Sequence, residues 1–270
     1  MSTEKRNPRS FSLDRMSAQE MVRLMNEEEM AVFKALKAAE APIATAAERA
    51  AKAFMAGGRI IYVGAGTSGR IAAMDAAEMP PTFGIDADRF VALHAGGDAA
   101  MGQAVEDAED DPTAPIELLN QLGASRNDIV IGLAASGRTP FVIGAIRHAR
   151  AKGIWTCAVV NNKAAPLLDD ADLGIVLETG PEVLTGSTRL KAGTAQKLVL
   201  NRISTIAMVL SGKVIENLMV DVKAKNQKLK ERCVRIVREL SNLTEIEAND
   251  QLEAHQWNVR AVLDAAREKV

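Results

Sequence analysis

Apolar residues recur along the chain with two different spacings, which predict helices at both ends and alternating strands and helices between them. After Ser17, which forms a capping-box pattern with Glu20, apolar residues recur roughly every three or four positions, as on one face of a helix. A second, Ala-rich helical stretch covers 42–55 and ends at a Gly-Gly pair. The polar segment 1–13 is expected to be extended or partly disordered.

From Arg59 the spacing changes to short, continuous runs of β-branched and other apolar residues, which are typical of strands buried on both faces. Helical stretches separate these runs. Parallel strands joined by helices predict a doubly wound α/β sheet of about five strands. The predicted strands are 59–64, 89–95, 128–134, 154–160 and 173–178, and the helices between them are 68–78, 99–109, 115–122 and 140–152.

Beyond Thr179 the strand runs stop and helical spacing returns. A long helix is predicted within 186–213, where Thr185, Ser187 and Thr188 are candidate caps. Further helices are predicted over 221–240 and 245–266. The pattern divides the chain into an N-terminal helical arm, 1–58, a central α/β domain, 59–220, and a C-terminal helical segment, 221–270.

Two of the predicted strands end in loops of small and hydroxyl residues. The first loop is GAGTSG, 64–69, which includes Thr67 and Ser68; the second contains Ser136, Gly137, Arg138 and Thr139. Glycines let a backbone approach a ligand closely, and the N-terminus of the following helix favours an anion. Because loops at the carboxyl ends of parallel strands share one crevice, the pair predicts a phosphate-binding site.

The first loop also satisfies the glycine pattern of dinucleotide sites, Gly64, Gly66 and Gly69. Such a site needs an acidic residue that closes the second strand, and the first acid here, Asp98, comes late. A repeated Ser-Gly-Arg suits a phosphate and sugar hydroxyls better than a pyrophosphate. The pattern therefore favours a sugar phosphate over a dinucleotide.

Composition narrows the function classes further. The 270 residues carry a net charge of −2, with 3% aromatics, two cysteines and three scattered histidines. This composition predicts no nucleic-acid surface, no disulfide framework and no metal site. The first residues lack an apolar core, and no apolar run is long enough for a membrane span, so a cytoplasmic protein without membrane contact is expected.

Three glutamates follow the predicted crevice loops. Glu78 lies two turns beyond the first loop, before Pro80 and Pro81, which are expected to end that helix. Glu106 and Glu109 are three residues apart, a spacing that would place them on one helical face. Acids on helices are usually solvated, so the residues alone do not favour a catalytic role. Near the start of the long helix, Arg189 and Lys191 are candidates for contact with an anionic substrate.

Several long motifs together resemble the N-acetylmuramic acid 6-phosphate etherases, members of the sugar isomerase (SIS) domain superfamily. The resemblance extends from about residue 4 to 240. It rests on GAGTSGR at 64–70, DAAEMPPTFG at 75–84, AGGDAA with AVEDAED at 95–110, AASGRTP at 134–140, GSTRLKAGTAQKLVLN at 186–201 and NLMVDVKAKNQKL at 217–229.

The resemblance implies a SIS-type fold and the cleavage of a lactyl ether in a phosphorylated amino sugar, without a metal or an organic cofactor. It implies catalytic roles for Glu78 and Glu109 and a sugar contact for Glu106. Substrate and phosphate contacts fall on Thr67, Ser68, Ser136, Gly137, Arg138 and Thr139. A homodimer is also implied.

An elimination followed by hydration needs a base for the C2 proton and an acid for the leaving oxygen. Two carboxyls at one anionic site repel each other, so one of them is expected to hold a proton near neutrality. Glu78 is the candidate acid and Glu109 the candidate base, and the two roles are interchangeable on the sequence alone. A phosphosugar aldose–ketose isomerase and a non-catalytic sugar-phosphate sensor are the alternative functions.

Overall fold

The computed structural model describes residues 3–103, 105, 107–222, 224 and 226–267. Five parallel strands form one sheet with the order β2-β1-β3-β4-β5. This confirms the predicted doubly wound α/β fold, and each strand lies within a predicted range. The strands are β1 (Ile60–Gly64), β2 (Phe90–His94), β3 (Ile129–Ala134), β4 (Trp155–Val160) and β5 (Leu173–Val176).

Helices precede the sheet, connect its strands and follow it. The chain divides into two compact units, of which the first comprises residues 1–76 and 88–207 and the second residues 77–87 and 208–270. The helices up to the end of the sheet region are α1 (Ala18–Ala38), α2 (Glu40–Met55), α3 (Gly66–Phe83), α4 (Ala99–Gly102), α5 (Ala114–Gln121), α6 (Pro140–Ala151), α7 (Leu167–Asp170) and α8 (Lys191–Leu210).

The C-terminal part departs from the prediction in two ways. A short antiparallel hairpin follows α8, where no strand was predicted, and the helix predicted over 245–266 is two helices. The break falls at Gln256 and Trp257, which both have positive φ although neither is glycine. These elements are β6 (Val214–Ile215), β7 (Leu218–Met219), α9 (Gln227–Leu240), α10 (Glu245–Ala254) and α11 (Val259–Arg267).

Two helix predictions before the second loop are also wrong. Pro80 and Pro81 lie inside α3, which ends at Phe83. Gly84 follows with a φ of +64°, and its N–H donates to the Pro80 carbonyl. The helix predicted over 99–109 covers only α4. Asp107 then takes a left-handed backbone conformation, and a one-turn 3₁₀ helix follows at Ala108–Asp110. Glu109 therefore does not lie on the face of a long helix.

The core is a continuous apolar layer between the sheet and α6. Side chains of β1, β3 and β4 pack against α6, whereas α2 packs against β1, β3 and β5. Gly144 on α6 lies so close to the preceding segment that a Cβ atom there would be 2.1 Å from the Pro112 carbonyl oxygen. Among the described helices, none is both long and apolar enough to cross a membrane.

A buried ion pair joins β1 and β3 at their amino ends. Asp128, whose side chain is 2% exposed, accepts hydrogen bonds from Arg59 N (2.7 Å), Arg59 Nη2 (2.8 Å) and Ser125 N (2.7 Å). Arg59 also donates to the Leu122 and Gly123 carbonyls at the end of α5. Removing one member of such a pair leaves a buried charge uncompensated.

We expect Asp128→Asn to lower the free energy of unfolding by about 3 kcal/mol at pH 7. Burial raises the pKa of Asp128, but the hydrogen bonds from Arg59 and Ser125 outweigh burial and lower that pKa overall. A carboxyl with a lowered folded pKa stabilises the protein above its unfolded pKa, about 3.9, and loses this contribution as the pH falls through the folded value.

The difference in the free energy of unfolding between the parent protein and Asp128→Asn, measured in urea, should therefore be largest at pH 7 and shrink below about pH 4. Asp14→Asn is the matched control, because the Asp14 side chain is 79% exposed. A difference that stays constant down to pH 3 would contradict this assignment.

Candidate active site

The two predicted loops lie side by side at the carboxyl edge of the sheet. Strands β1 and β3 are neighbours, with Gly64 opposite Leu133, and a hydroxyl-rich loop follows each of them. The chain leaves β1 for β2 on one side and returns to β3 on the other. Such a reversal opens a crevice at the strand ends, where α/β proteins bind their ligands.

Close backbone packing shapes the first loop. A Cβ atom on Gly69 would lie 2.8 Å from the Gly64 carbonyl oxygen and 2.2 Å from His94 Cδ2, and Gly66 has a φ of +52°. Only glycine fits without strain at both positions. The start of α3 therefore lies directly against the ends of β1 and β2.

An open cavity of about 420 Å³ lies beside the first loop, within the first compact unit. Its lining combines the loop backbone with a cationic side chain, a histidine and three acidic side chains. The lining residues are Ala65, Gly66, Arg70, His94, Ala95, Ala100, Val105, Asp107, Glu109 and Asp110.

Two side chains fix the walls of this cavity. Arg70 on α3 donates to the carbonyls of Ala100 (2.9 Å) and Met101 (3.1 Å) in α4. The His94 ring contacts the Ala95 carbonyl through Nδ1 (2.7 Å) and the Gly66 carbonyl through Nε2 (3.1 Å). His94 is 6% exposed, so it supports the first loop from beneath as a largely buried residue.

The second loop turns at Gly137, where φ is +67° and a Cβ atom would lie 2.2 Å from Ala165 Cβ. Ser136 Oγ accepts a hydrogen bond from Arg138 N (3.2 Å). Thr139 occupies the cap position of α6, directly before Pro140 at the first helical position. The four predicted phosphate contacts thus form one tight turn at a helix N-terminus, an arrangement that favours anions.

Ser68 in the first loop belongs to a buried polar chain. Its hydroxyl donates to Gln196 Oε1 (2.7 Å), and Gln196 Nε2 donates to Asn161 Oδ1 (3.1 Å). Asn161 Nδ2 in turn donates to the Leu177 carbonyl (3.1 Å). Thr67, its neighbour, lies near Gly193 on α8, where an added Cβ would be 3.4 Å from Thr67 Cγ2.

The N-terminus of α8 is held by one buried acid, Glu182, and not by the predicted hydroxyl caps. Glu182 accepts from Lys191 N (3.0 Å) and Ala192 N (2.9 Å), and burial raises the pKa of Glu182. Lys191 Nζ pairs with Glu28 on α1 (2.5 Å). Burial raises the pKa of Glu28, but bonds from Lys191 and Asn7 lower it overall. The Lys191 side chain is therefore buried and paired with Glu28, whereas Arg189 is exposed.

The three glutamates predicted from the sequence do not share one described location. Glu109 lines the cavity beside the first loop. Glu78 is exposed on α3 and belongs to the second compact unit, and Glu106 lies outside the described residues. Within the described ranges, no three His, Cys, Asp or Glu side chains group as a metal site would require.

Sequence reasoning missed several polar residues at this edge. Asn161 and Asn162 directly follow β4, so the signal that identified the two loops was present for them as well. Gln196 and Glu182 carried no such signal, since their partners are far away in the chain. His94 was not missed: its position at the end of the second predicted strand favours packing in the core or at the rim over a role as base, and the residue is buried.

Comparison with known proteins decides the family. The chain is 52% identical over 250 residues to an N-acetylmuramic acid 6-phosphate etherase from Francisella philomiragia subsp. philomiragia, covering 93% of this chain and 85% of the relative. It is 48% identical over 277 residues to the Salmonella agona etherase, covering 99% and 93%. The chain belongs to the N-acetylmuramic acid 6-phosphate etherase family.

The etherase family assignment agrees with two domain matches and with the fold. Residues 42–150 match the glucokinase regulatory protein N-terminal SIS domain, and residues 103–203 match the SIS domain. A phosphoheptose isomerase from Francisella tularensis superposes with a TM-score of 0.56 at 19% identity, covering 71% of this chain and 98% of that one. A second, from Neisseria gonorrhoeae, gives 0.55 at 21%, covering 71% and 99%. At such identities these two structures support the fold alone.

Proposed function

We propose that this chain cleaves the D-lactyl ether of N-acetylmuramic acid 6-phosphate to give N-acetylglucosamine 6-phosphate and D-lactate. The observation that carries this proposal is the identity of about one half to named etherases over nearly the whole chain. The crevice between β1 and β3 supports it, because two loops suited to a phosphate lie there beside a cavity that holds Glu109. In this proposal the turn formed by Ser136–Thr139 binds the substrate phosphate.

The proposed reaction is an elimination followed by a hydration. The sugar ring opens to an aldehyde, which acidifies the proton on C2, and a base removes that proton. The electron pair forms a C2–C3 double bond while the C3–O bond breaks, and a protonated lactate oxygen leaves. Water then adds at C3 and a proton returns to C2. We assign Glu109 as the base and Glu78 as the acid that protonates the leaving oxygen.

Oxygen-18 water tests the reaction. We expect D-lactate to be released without label and the sugar product to carry labelled oxygen at C3, since the bond that breaks is C3–O. Mass spectrometry of both products makes the measurement. Label in the lactate would contradict elimination. Absence of lactate, together with C2 proton exchange on glucosamine or fructose 6-phosphate, would indicate an isomerase instead, and tight binding without either signal would indicate a sensor.

Separate replacement of the two glutamates tests their roles. We expect Glu109→Gln to abolish both C2 proton exchange and lactate release, because no base remains. Glu78→Gln should retain exchange while lactate release falls by 10²–10⁴-fold, as is typical on loss of a general acid. NMR in deuterium oxide follows the exchange. Glu117→Gln is the control, because Glu117 is exposed on α5. Loss of exchange only in Glu78→Gln would reverse the assignment.

We further propose that the protein is cytoplasmic and forms a homodimer. An apolar stripe on α1 supports the dimer: Val22, Met30 and Phe33 are 58%, 56% and 57% exposed. The stripe borders an open groove that includes Leu36, Ile43 and Ile206. Exposed apolar surfaces of this kind are typical of protein interfaces.

Phe33→Asp should therefore convert the dimer to a monomer, because association would bury the new carboxylate without a partner. Light scattering coupled to gel filtration measures the mass. Lys34→Asp, at the adjacent exposed position, is the control for a new charge. A monomeric parent protein would refute the dimer, and a dimeric Phe33→Asp protein would refute this interface.

A further inference from the structure

The second loop is attached to the segment that follows β4. Ala135 O accepts hydrogen bonds from Asn161 N (3.0 Å) and from Asn162 Nδ2 (3.0 Å). Gly137 O accepts from Leu167 N (3.1 Å). The carbonyls on either side of Ser136 are thus both bound to the 161–167 segment. This fixes the peptide planes of the turn that is proposed to hold phosphate.

Asn162 is the only side chain among these donors, and a second contact fixes its orientation. Because a backbone carbonyl only accepts, the Asn162 atom that faces Ala135 O must be the amide nitrogen. The same nitrogen donates to Thr3 Oγ1 (3.3 Å) in the N-terminal segment. Asn162 is 5% exposed and Thr3 is fully buried, so water does not compete for these bonds.

The N-terminal segment is itself fixed to the sheet unit. Asn7 is 4% exposed and donates to Glu28 Oε2 (2.8 Å) and to the Pro181 carbonyl (3.3 Å). Glu28 also pairs with Lys191 at the start of α8. Thr3 therefore reaches Asn162 from a fixed backbone, and Thr3 and Asn7 contribute buried contacts to the sheet unit.

We propose that Asn162 is a positioning residue for the phosphate-binding turn, Ser136–Thr139, and that Thr3 completes its support from the N-terminal segment. This rests on the proposed function, in which that turn holds the substrate phosphate. The bonds that change in the proposed reaction are at C2 and C3, away from the phosphate, so we expect the turn to bind the phosphate equally in the ground and transition states. Loss of such uniform binding raises KM and leaves kcat unchanged. The two side chains should therefore affect affinity for phosphate and not the chemical step.

Asn162→Asp tests the first residue, since the carboxylate keeps the volume but turns an acceptor toward Ala135 O. We expect the Kd of inorganic phosphate and that of N-acetylglucosamine 6-phosphate, measured by titration calorimetry, to rise together by about tenfold. KM should rise by the same factor while kcat stays within twofold. A fall in kcat at constant KM, or an unchanged phosphate Kd, would overturn the proposal.

Thr3→Val and Thr3→Ser test the second residue, because valine keeps the volume and serine keeps the hydroxyl. Thr3→Val should weaken phosphate binding about threefold and Thr3→Ser should restore it; equal affinities in the two variants would overturn the role of Thr3. In the Asn162→Asp background, Thr3→Val should add nothing, because it acts through Asn162. Thr45→Val, at an exposed position of α2, is the matched control.

The calorimetric readout separates this proposal from the proposed function. If the protein releases no lactate but the variants still weaken phosphate binding, the reaction is wrong and the positioning role stands. If lactate is released at the parental KM by Asn162→Asp and Thr3→Val, the reaction stands and the positioning role fails. Circular dichroism of each variant excludes unfolding as the cause, and an unfolded Asn162→Asp leaves the decision to the Thr3 pair.

Discussion

The pairing of β1 with β3 is the constraint on which the rest of the site depends. Both strands run in the same direction, so their carboxyl ends meet at one edge, and the chain visits β2 on the other side between them. The chain goes from β1 to β2 and from β3 to β4, which lie on opposite sides of the β1–β3 pair, and this divergence opens a crevice at the two loops. His94 at the end of β2 and Asn161 after β4 reach the same edge for the same reason.

Local signals in the sequence were sufficient to predict the five strands of the sheet and the positions of the two loops. Continuous apolar runs have few alternatives to buried parallel strands, and the five predictions contain the five strands. In each loop one glycine lies where a Cβ atom would strike a neighbour, Gly69 in the first and Gly137 in the second. Ser17 and Glu20 form the predicted capping box at the start of α1.

Features that depend on distant partners could not be predicted in this way. Ser68 and Gln196 are 128 positions apart, and Asn162 and Thr3 are 159 apart, so no local pattern connects them. Pro80 and Pro81 were expected to end α3, but the helix continues through them to Phe83, and the Gly84 N–H then donates to the Pro80 carbonyl. Gln256 and Trp257 break the last helix without glycine, and their residue types gave no warning. At the α3 prolines and at Gln256 and Trp257, residue propensity therefore does not decide where the helix ends.

Gly144 shows how a small residue on a helix bears on an acidic residue in the cavity. It allows α6 to approach Pro112, three residues beyond Glu109, and the 3₁₀ turn that carries Glu109 packs on the same helix. Alanine at this position would gain about 1 kcal/mol of helix propensity and still displace that segment. In evolutionary terms, a better helix former cannot replace Gly144, because its Cβ atom would displace the segment that places Glu109 at the cavity.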